Sequence, residues 1–434
     1  MARREKTVAY LVGGPLRDVL LGRALTDIDI AVEGDAERFG RALSRELRGE
    51  FKSYAQFGTG TVKLKGTGDG GRGSGDRGQG RVDHIDIART RAETYARSGA
   101  LPLVRPAGIR ADMSRRDFTI NAMAWRLAPA QGSEGARERG SQGAGQAGIA
   151  DCRLVDPYQG LEDLRRKVIR VLHEKSFEDD PTRIFRAARF AGRFGFRIEP
   201  RTRILTNRAI REGRLGLLSG KRVMTELALV MQESDPGRIL RTLNRMGGFA
   251  SLFGAKLGAD CLRNISRIPG SDPEPVGPTT GRAGLRLLYL VSCLGTRGRG
   301  SVVRDWPLTR EQKAALTGLR TYPRMRPRLV RAERPSQVYS ALKNQARGAL
   351  RIKAALEPKV IADRIAAFLD RYSLVKPVLT GQDFQRTGIR PGPIYAKLLD
   401  RLRAARLDGE VKTREDEERL VKTTISKRRM QSAK

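Results

Sequence analysis

The sequence predicts an α+β chain, with a mixed β-sheet head over residues 1–150 and an all-α remainder. Two observations divide it this way. Up to about residue 125, short runs alternate polar and apolar side chains, as in Asp27-Ile28-Asp29-Ile30-Ala31-Val32, which is the period of a half-buried strand. After about Asp151, apolar residues recur at three- and four-residue steps, as in Leu161, Leu164, Val168 and Val171, and again in Ile184, Ala188 and Ala191, so helices are expected. Glycine marks the interruptions: eight fall in residues 66–80 and six in residues 132–148, and both segments read as flexible surface insertions between strands.

In chain order, Thr7 to Val12 reads as a short strand that ends at Gly13-Gly14, and Pro15 to Leu21 as a short helix. The alternating Asp27 to Val32 follows as a second strand, with Thr59 to Leu64, His84 to Ala88 and Phe118 to Trp125 as further ones. The helical remainder is taken in three parts, residues 151–216, 217–372 and a tail, 373–434. A Pro/Gly-rich break at residues 269–281 reads as a linker or long loop. In the tail, Pro391-Gly392-Pro393 precedes an amphipathic stretch with Ile394, Leu398 and Leu402.

Composition narrows the partners. The 434 residues carry 84 Lys plus Arg against 48 Asp plus Glu, a formal charge of +36, and such a field attracts polyanions. Arginine accounts for 66 of the bases, a bias that a GC-rich genome also produces. No apolar run approaches the roughly 18–20 residues that span a bilayer, and the start is too polar for a secretory leader, so a cytoplasmic protein without a membrane partner is the default. Cys152, Cys261 and Cys293 are odd in number and far apart, and the only histidines are His84 and His173, so any metal must be held by carboxylates.

Three constellations carry chemistry. Asp27 and Asp29, two residues apart on a strand, point to one face and can hold divalent cations while Ile28 and Ile30 face the core. Just upstream, Gly13-Gly14 opens a helix whose backbone N–H groups can approach a phosphate. Together they fit a nucleoside triphosphate with Mg2+; a solvated strand edge is the alternative. The second constellation is Asp112-Met-Ser-Arg-Arg-Asp-Phe-Thr-Ile-Asn-Ala122, where Arg116 can meet a triphosphate with Asp117 orienting it, or form a helix-terminal salt bridge. In the third, Asp180 reads as an N-cap with Pro181 at the first helical position. Arg183, Arg186, Arg189 and Arg193 then share one helical face, opposite Ile184, Phe185, Ala188 and Ala191.

These blocks, in this order, resemble the class II tRNA nucleotidyltransferase (CCA-adding enzyme) and poly(A) polymerase family, within the DNA polymerase beta superfamily. The resemblance runs from residue 8 to about 255 and includes Arg115-Arg116-Asp117-Phe-Thr-Ile-Asn-Ala and Asp156-Pro-Tyr-Gln-Gly-Leu-Glu-Asp-Leu; Leu379-Thr-Gly-Gln-Asp-Phe and the run from Leu407 resemble family tails. It implies a nucleotidyltransferase head followed by helical neck, body and tail, the last two binding RNA. It implies that Asp27 and Asp29 bind Mg2+, and that Gly14, Arg17 and Arg116 contact the triphosphate of CTP or ATP. It further implies that Asp180 and Arg183 read the Watson–Crick edge of the incoming base, with Arg186 and Arg189 completing the pocket. A carboxylate accepts from the exocyclic amine that C and A share, which U and G do not present there.

The implied activity is Mg-dependent two-metal addition of CCA, or its terminal A, to tRNA 3′ ends without a nucleic-acid template; a poly(A) polymerase and a non-catalytic RNA-binding protein are the alternatives. Asp86, on the His84-Ile-Asp-Ile-Ala strand, reads as a third catalytic carboxylate or as a surface residue of an alternating strand. Residues Arg89 to Pro106, with Glu93, Tyr95 and Gly99, correspond to the segment linked to switching from C to A. Lys221 stands where many relatives carry Glu, and two histidines are too few for the appended His-Asp phosphohydrolase domain of some relatives. Arg320 to Lys353, with eight Arg, two Lys and one Glu, interleaved with Tyr322 and Tyr339, reads as an RNA track or as a solvated helical surface.

Overall fold

A seven-stranded mixed sheet forms the N-terminal part of the computed structural model, which describes residues 7–25, 27–54, 58–64, 82–94, 103–127, 154–268 and 281–432. Both glycine-rich segments, Tyr95, Gly99, Cys152 and residues 269–280 lie outside the described residues. The chain divides into two compact units, Met1–Arg222 with Thr242–Leu252, and Val223–Arg241 with Phe253–Lys434.

In the first unit the strands are β1 (Val8–Val12), β2 (Ile28–Glu33), β3 (Glu50–Tyr54), β4 (Thr59–Lys63), β5 (His84–Arg89), β8 (Ala124–Arg126) and β9 (Leu154–Val155). They lie in the order β3-β4-β5-β2-β1-β8-β9. Only β2 and β5 run parallel, with Asp29 opposite Asp86. A two-stranded hairpin, β6 (Arg91–Thr94) with β7 (Leu103–Pro106), stands apart from that sheet. Period-2 alternation decides which face is covered: Ile30, Val32, Val62, Ile85 and Ile87 pack with Ala36 and Phe39 of helix α2 (Ala36–Glu46). Full burial of side chains this size contributes about 1.5–3 kcal/mol each, which fixes the register and leaves Asp29, Asp86 and Thr61 on the opposite face. On that face, nearer β1, Tyr10, Val12 and Ala31 pack with Ile109 and Met113 of α3 (Ile109–Ser114).

Helix α1 (Gly13–Leu20) follows β1 directly. Gly13 has φ +70°, a backbone that favours glycine, and a Cβ there would lie 2.5 Å from the Arg116 guanidinium and displace it. Helices α4 (Gly160–Arg165), α5 (Ser176–Asp179), α6 (Arg183–Phe194) and α7 (Pro200–Arg211) come next, and α8 (Gly220–Gln232) crosses the boundary between the units.

Three local expectations are corrected. Phe118 to Trp125 is not one strand: Phe118 makes an isolated bridge to Val171, Thr119–Asn121 is a 3-10 turn, and the strand begins at Ala124. Buried hydrogen bonds that Asp117 accepts from the Phe118 amide and the Asn121 side chain bend this segment, and apolar content alone conceals that. The helical steps of Leu161 and Leu164 stop at Arg165; Lys167 takes a left-handed φ of +58°, and β10 (Val168–Ile169) pairs in parallel with β11 (Arg197–Ile198). Helix α6 starts at Arg183, not directly after Asp180, because the Asp180 carboxylate accepts from the amide and hydroxyl of Thr182 and closes a tight turn first.

The second unit is helical. Arg286 is 1 % exposed and donates to the carbonyls of Ile268, Met231 and Glu233, stitching three segments around one buried cation. Tyr322, Met325, Leu329, Val338, Leu342, Ile365 and Phe368 form one core cluster, and Leu379, Phe384, Leu398, Leu402 and Val421 another. No helix among the described residues is long and apolar enough to cross a membrane.

Candidate active site

The carboxylates are placed by the uncovered sheet face. Asp27 immediately precedes β2 and is exposed, Asp29 is half-buried within it, and Asp86 lies opposite Asp29 on β5. Burial, then the negative charges of Asp27 and Asp86, push the Asp29 carboxyl up to about 6, against the pull of Arg116 and His84. Crowding of carboxylates around the half-buried Asp29 is what a divalent cation relieves, so the donor set fits one. Among the described residues no group of three or more ligand side chains is already drawn together around a point. Asp86 accepts from Thr61 Oγ1 at 2.6 Å, and His84 Nε2 stands 3.8 Å from its other oxygen.

Arg116 projects beside the Gly13 turn. Its Nη2 donates to Asp112 at 3.0 Å and its Nη1 to the Asn121 carbonyl at 3.3 Å. Asp112, 1 % exposed, is the residue that orients it; Asp117 is not. Asp117 accepts instead from Arg186 Nε at 2.7 Å and from Asn121 Nδ2 at 2.9 Å. The i and i+4 spacing of Asp112 and Arg116 on one helical turn is the signal that identifies this partner. Arg17 is 3 % exposed; it grips Asp18 with two parallel bonds of 2.9 Å, donates to Asn121 Oδ1 at 2.7 Å, and lies over the Phe194 ring at 4.6 Å. It is therefore placed beneath the glycine turn, and Gly14 presents the turn's outer surface, being half-exposed.

The arginine face of α6 is more internal than its periodicity implies. Arg183 is 4 % exposed and donates to Ser176 Oγ and to the Arg115 carbonyl, both at 2.7 Å. Arg189 is 6 % exposed with its guanidinium over the Phe190 ring, while Arg186 is half-buried and Arg193, in the last turn, is exposed. Asp180 is held through one oxygen: Oδ1 accepts from the Thr182 amide at 3.0 Å, the Thr182 hydroxyl at 2.7 Å and Arg222 Nη2 at 2.8 Å. Arg222 follows the exposed Lys221, and nothing in the sequence marks it as the partner of a residue 42 positions earlier. Arg115 completes the set: its guanidinium bonds Asp112 and Glu93, which ties β6 to α3.

The face thus unites Asp29 with Asp86 across two strands, Gly13 with Arg116, and Arg183 with the Arg115 backbone. A mixed sheet that bares carboxylates beside a glycine turn and an oriented arginine defines a nucleotidyltransferase head. Residues 9–170 match the family described as poly A polymerase head domain. An A-adding tRNA nucleotidyltransferase of Geobacter sulfurreducens is 31% identical over 95% of this chain, which spans 44% of that protein's length. Another, of Halalkalibacterium halodurans, is 29% identical over 96% of this chain and 88% of its own. A solved CCA-adding enzyme in apo form aligns at 28% identity with a TM-score of 0.74, covering 98% of this chain and 93% of that one. Residues 9–170 thus match a poly A polymerase head domain, and along nearly its whole length the chain is similar to tRNA nucleotidyltransferases.

Proposed function

We propose that this protein extends tRNA 3′ ends by template-independent nucleotidyl transfer, adding CCA or its terminal A from CTP and ATP and releasing pyrophosphate, in the cytoplasm. The observation that carries the reading is the Asp29–Asp86 pair on the open sheet face, with Asp27 beside it, raising the proton affinity of Asp29 as a cation site does. Asp27 and Asp29 would hold Mg2+, which when bound would polarise the α-phosphate and neutralise the charge of the leaving pyrophosphate. Gly14 offers backbone N–H groups and Arg116, held by Asp112, its guanidinium to the triphosphate. Arg17, beneath them, completes the phosphate side through its remaining N–H groups. The RNA 3′ oxygen attacks the α-phosphorus, the bond to the β-phosphate oxygen breaks, and Asp86 takes the hydroxyl proton.

Asp180 supplies base selection. With Oδ1 saturated by Thr182 and Arg222, its Oδ2 is left to accept from the exocyclic amine of C or A, while Arg183 donates to the adjacent ring acceptor. Arg186 and Arg189 close the pocket around them. Two A-adding relatives favour addition of the terminal A over the whole CCA. The body and tail helices would hold the RNA stem. On the helix Arg310–Val330, exposed Arg320, Arg324 and Arg328 fall four residues apart on one stripe, a spacing of about 6 Å that matches successive phosphates. Tyr322 and Tyr339 take no part in stacking on bases: Tyr322 is 1 % exposed in the core, and Tyr339 packs against Phe368 and accepts from Arg403.

The test is incorporation of each labelled nucleotide into tRNA lacking one, two or three terminal residues, with and without chelator. One A added to tRNA ending in CC, lost when the divalent metal is removed, is the expected result. Unlimited A-tails on unrelated RNA would replace this reading by poly(A) synthesis.

A further inference from the structure

The open sheet face carries polar residues that the incoming nucleotide does not use. Register across β2, β5 and β4 puts Asp29, Asp86 and Thr61 in one row, and puts His84 opposite Lys63 in the next row of the same face. Thr61, Lys63, Asp83, His84 and Asp86 line an open cavity of about 540 Å3, a volume in the range of small-ligand sites. Lys63 is exposed and has no ion-pair partner among the described residues. His84, half-buried, and the Thr61 hydroxyl flank the Asp86 carboxylate.

We propose that this cavity seats the 3′-terminal nucleotide of the RNA being extended, with Lys63 on its 5′ phosphate and His84 on its ribose 2′-hydroxyl. The inference rests on the nucleotidyl-transfer reading and deepens it. Strand order supplies the first argument. Gly13 and the Arg116 contact lie on the β1 side of β2, whereas the cavity lies on the β5–β4 side. In-line displacement needs the attacking oxygen and the leaving pyrophosphate on opposite sides of the α-phosphorus. If the triphosphate occupies the β1 side, the attacking nucleotide belongs on the other. The donor set supplies the second. One lysine suits a single phosphodiester charge rather than a triphosphate, and an imidazole can both donate to and accept from a ribose hydroxyl. Seated in this way, the terminal 3′-hydroxyl lies over Asp86, and contact with the 2′-hydroxyl distinguishes RNA from DNA ends.

The experiment uses the full chain, tRNA lacking its terminal A, and labelled ATP. Lys63→Ala and His84→Ala should each raise KM for the RNA about tenfold, the cost of one lost polar contact, while KM for ATP stays within twofold. A misfolded fraction would lower kcat and leave both KM values in place, so the split reports the contact. A second arm replaces the terminal ribose by 2′-deoxyribose: the wild type should lose about tenfold and His84→Ala no more than twofold further. A third arm places a photoreactive pyrimidine at the RNA 3′ end and should label peptides containing Thr61 to Lys63 or His84 to Asp86. Unchanged RNA KM, an undiminished deoxy penalty in His84→Ala, or labelling elsewhere would overturn this inference while extension by the wild type upholds the enzyme. A wild type that extends no tRNA overturns the enzyme reading itself.

Discussion

Asp29 is half-buried and Asp117 buried, and their surroundings move the two carboxylates in opposite directions. Burial and two like charges raise Asp29, whereas Asp117, though burial opposes its charge, is held below the usual carboxylate range by Arg186 and Asn121. The first arrangement is poised for a cation and the second is already neutralised. Asp29→Ala should therefore reduce nucleotide transfer by about a thousandfold or more while tRNA affinity, read by filter binding, changes less than twofold; substantial residual transfer would remove Asp29 from the metal site. Asp117→Asn should cost about 2 kcal/mol of stability, since it replaces a buried carboxylate that pairs with Arg186 by a neutral amide. Because the folded-state value of Asp117 is depressed, its contribution is present above about pH 4 and fades as pH falls through that lower value. The stability gap between wild type and variant, read by urea unfolding, should thus be largest at neutral pH and shrink below pH 4; a gap that grows in acid would refute the assignment.

At the scale of elements, the hairpin, α3 and α6 form one chain of contacts. Glu93 on β6 accepts from Arg115 at 3.0 Å, Arg115 holds Asp112 on α3, and the Arg115 carbonyl accepts from Arg183 on α6. A displacement of the hairpin would thereby reach Arg183, the side chain proposed to read the base. Glu93→Ala should alter the ratio of ATP to CTP incorporation severalfold while shifting unfolding by less than about 1 kcal/mol, because Asp112 still holds Arg115; an unchanged ratio would disconnect the hairpin from base choice. How much of this was legible follows from the distance over which each contact is made. Asp27-x-Asp29 and the Gly13-Gly14 turn were readable because strand period and left-handed backbone are local properties. The arginine stripe of α6 was readable as a stripe, but its partners Asp117, Ser176 and the Arg115 carbonyl come from elsewhere in the chain, where helical periodicity carries no signal. The packing of Tyr322 and Tyr339 was hidden for the same reason: a tyrosine between basic residues gives no sign in sequence that its own helical face is turned to the core.

Across the whole molecule, the charge of +36 must be apportioned before it predicts anything. Arg17, Arg183, Arg189 and Arg286 are each at most 6 % exposed, and Arg326 and Lys343 are paired with Glu357 and Asp400, so none of these is free to attract a distant polyanion. Arg320, Arg324 and Arg328 are exposed and carry no carboxylate partner among the described residues. Binding by such cations releases counterions from RNA phosphates, and each contact steepens the fall of log affinity with log salt by somewhat less than one. Replacing all three by Gln should lower the magnitude of that slope by about two to three, and weaken tRNA binding most at low ionic strength. Asp29→Ala, which alters chemistry on the sheet, should leave the slope unchanged. A triple variant with the wild-type slope would mean that the stripe is only a solvated face, and that the salt-sensitive contacts lie on other helices.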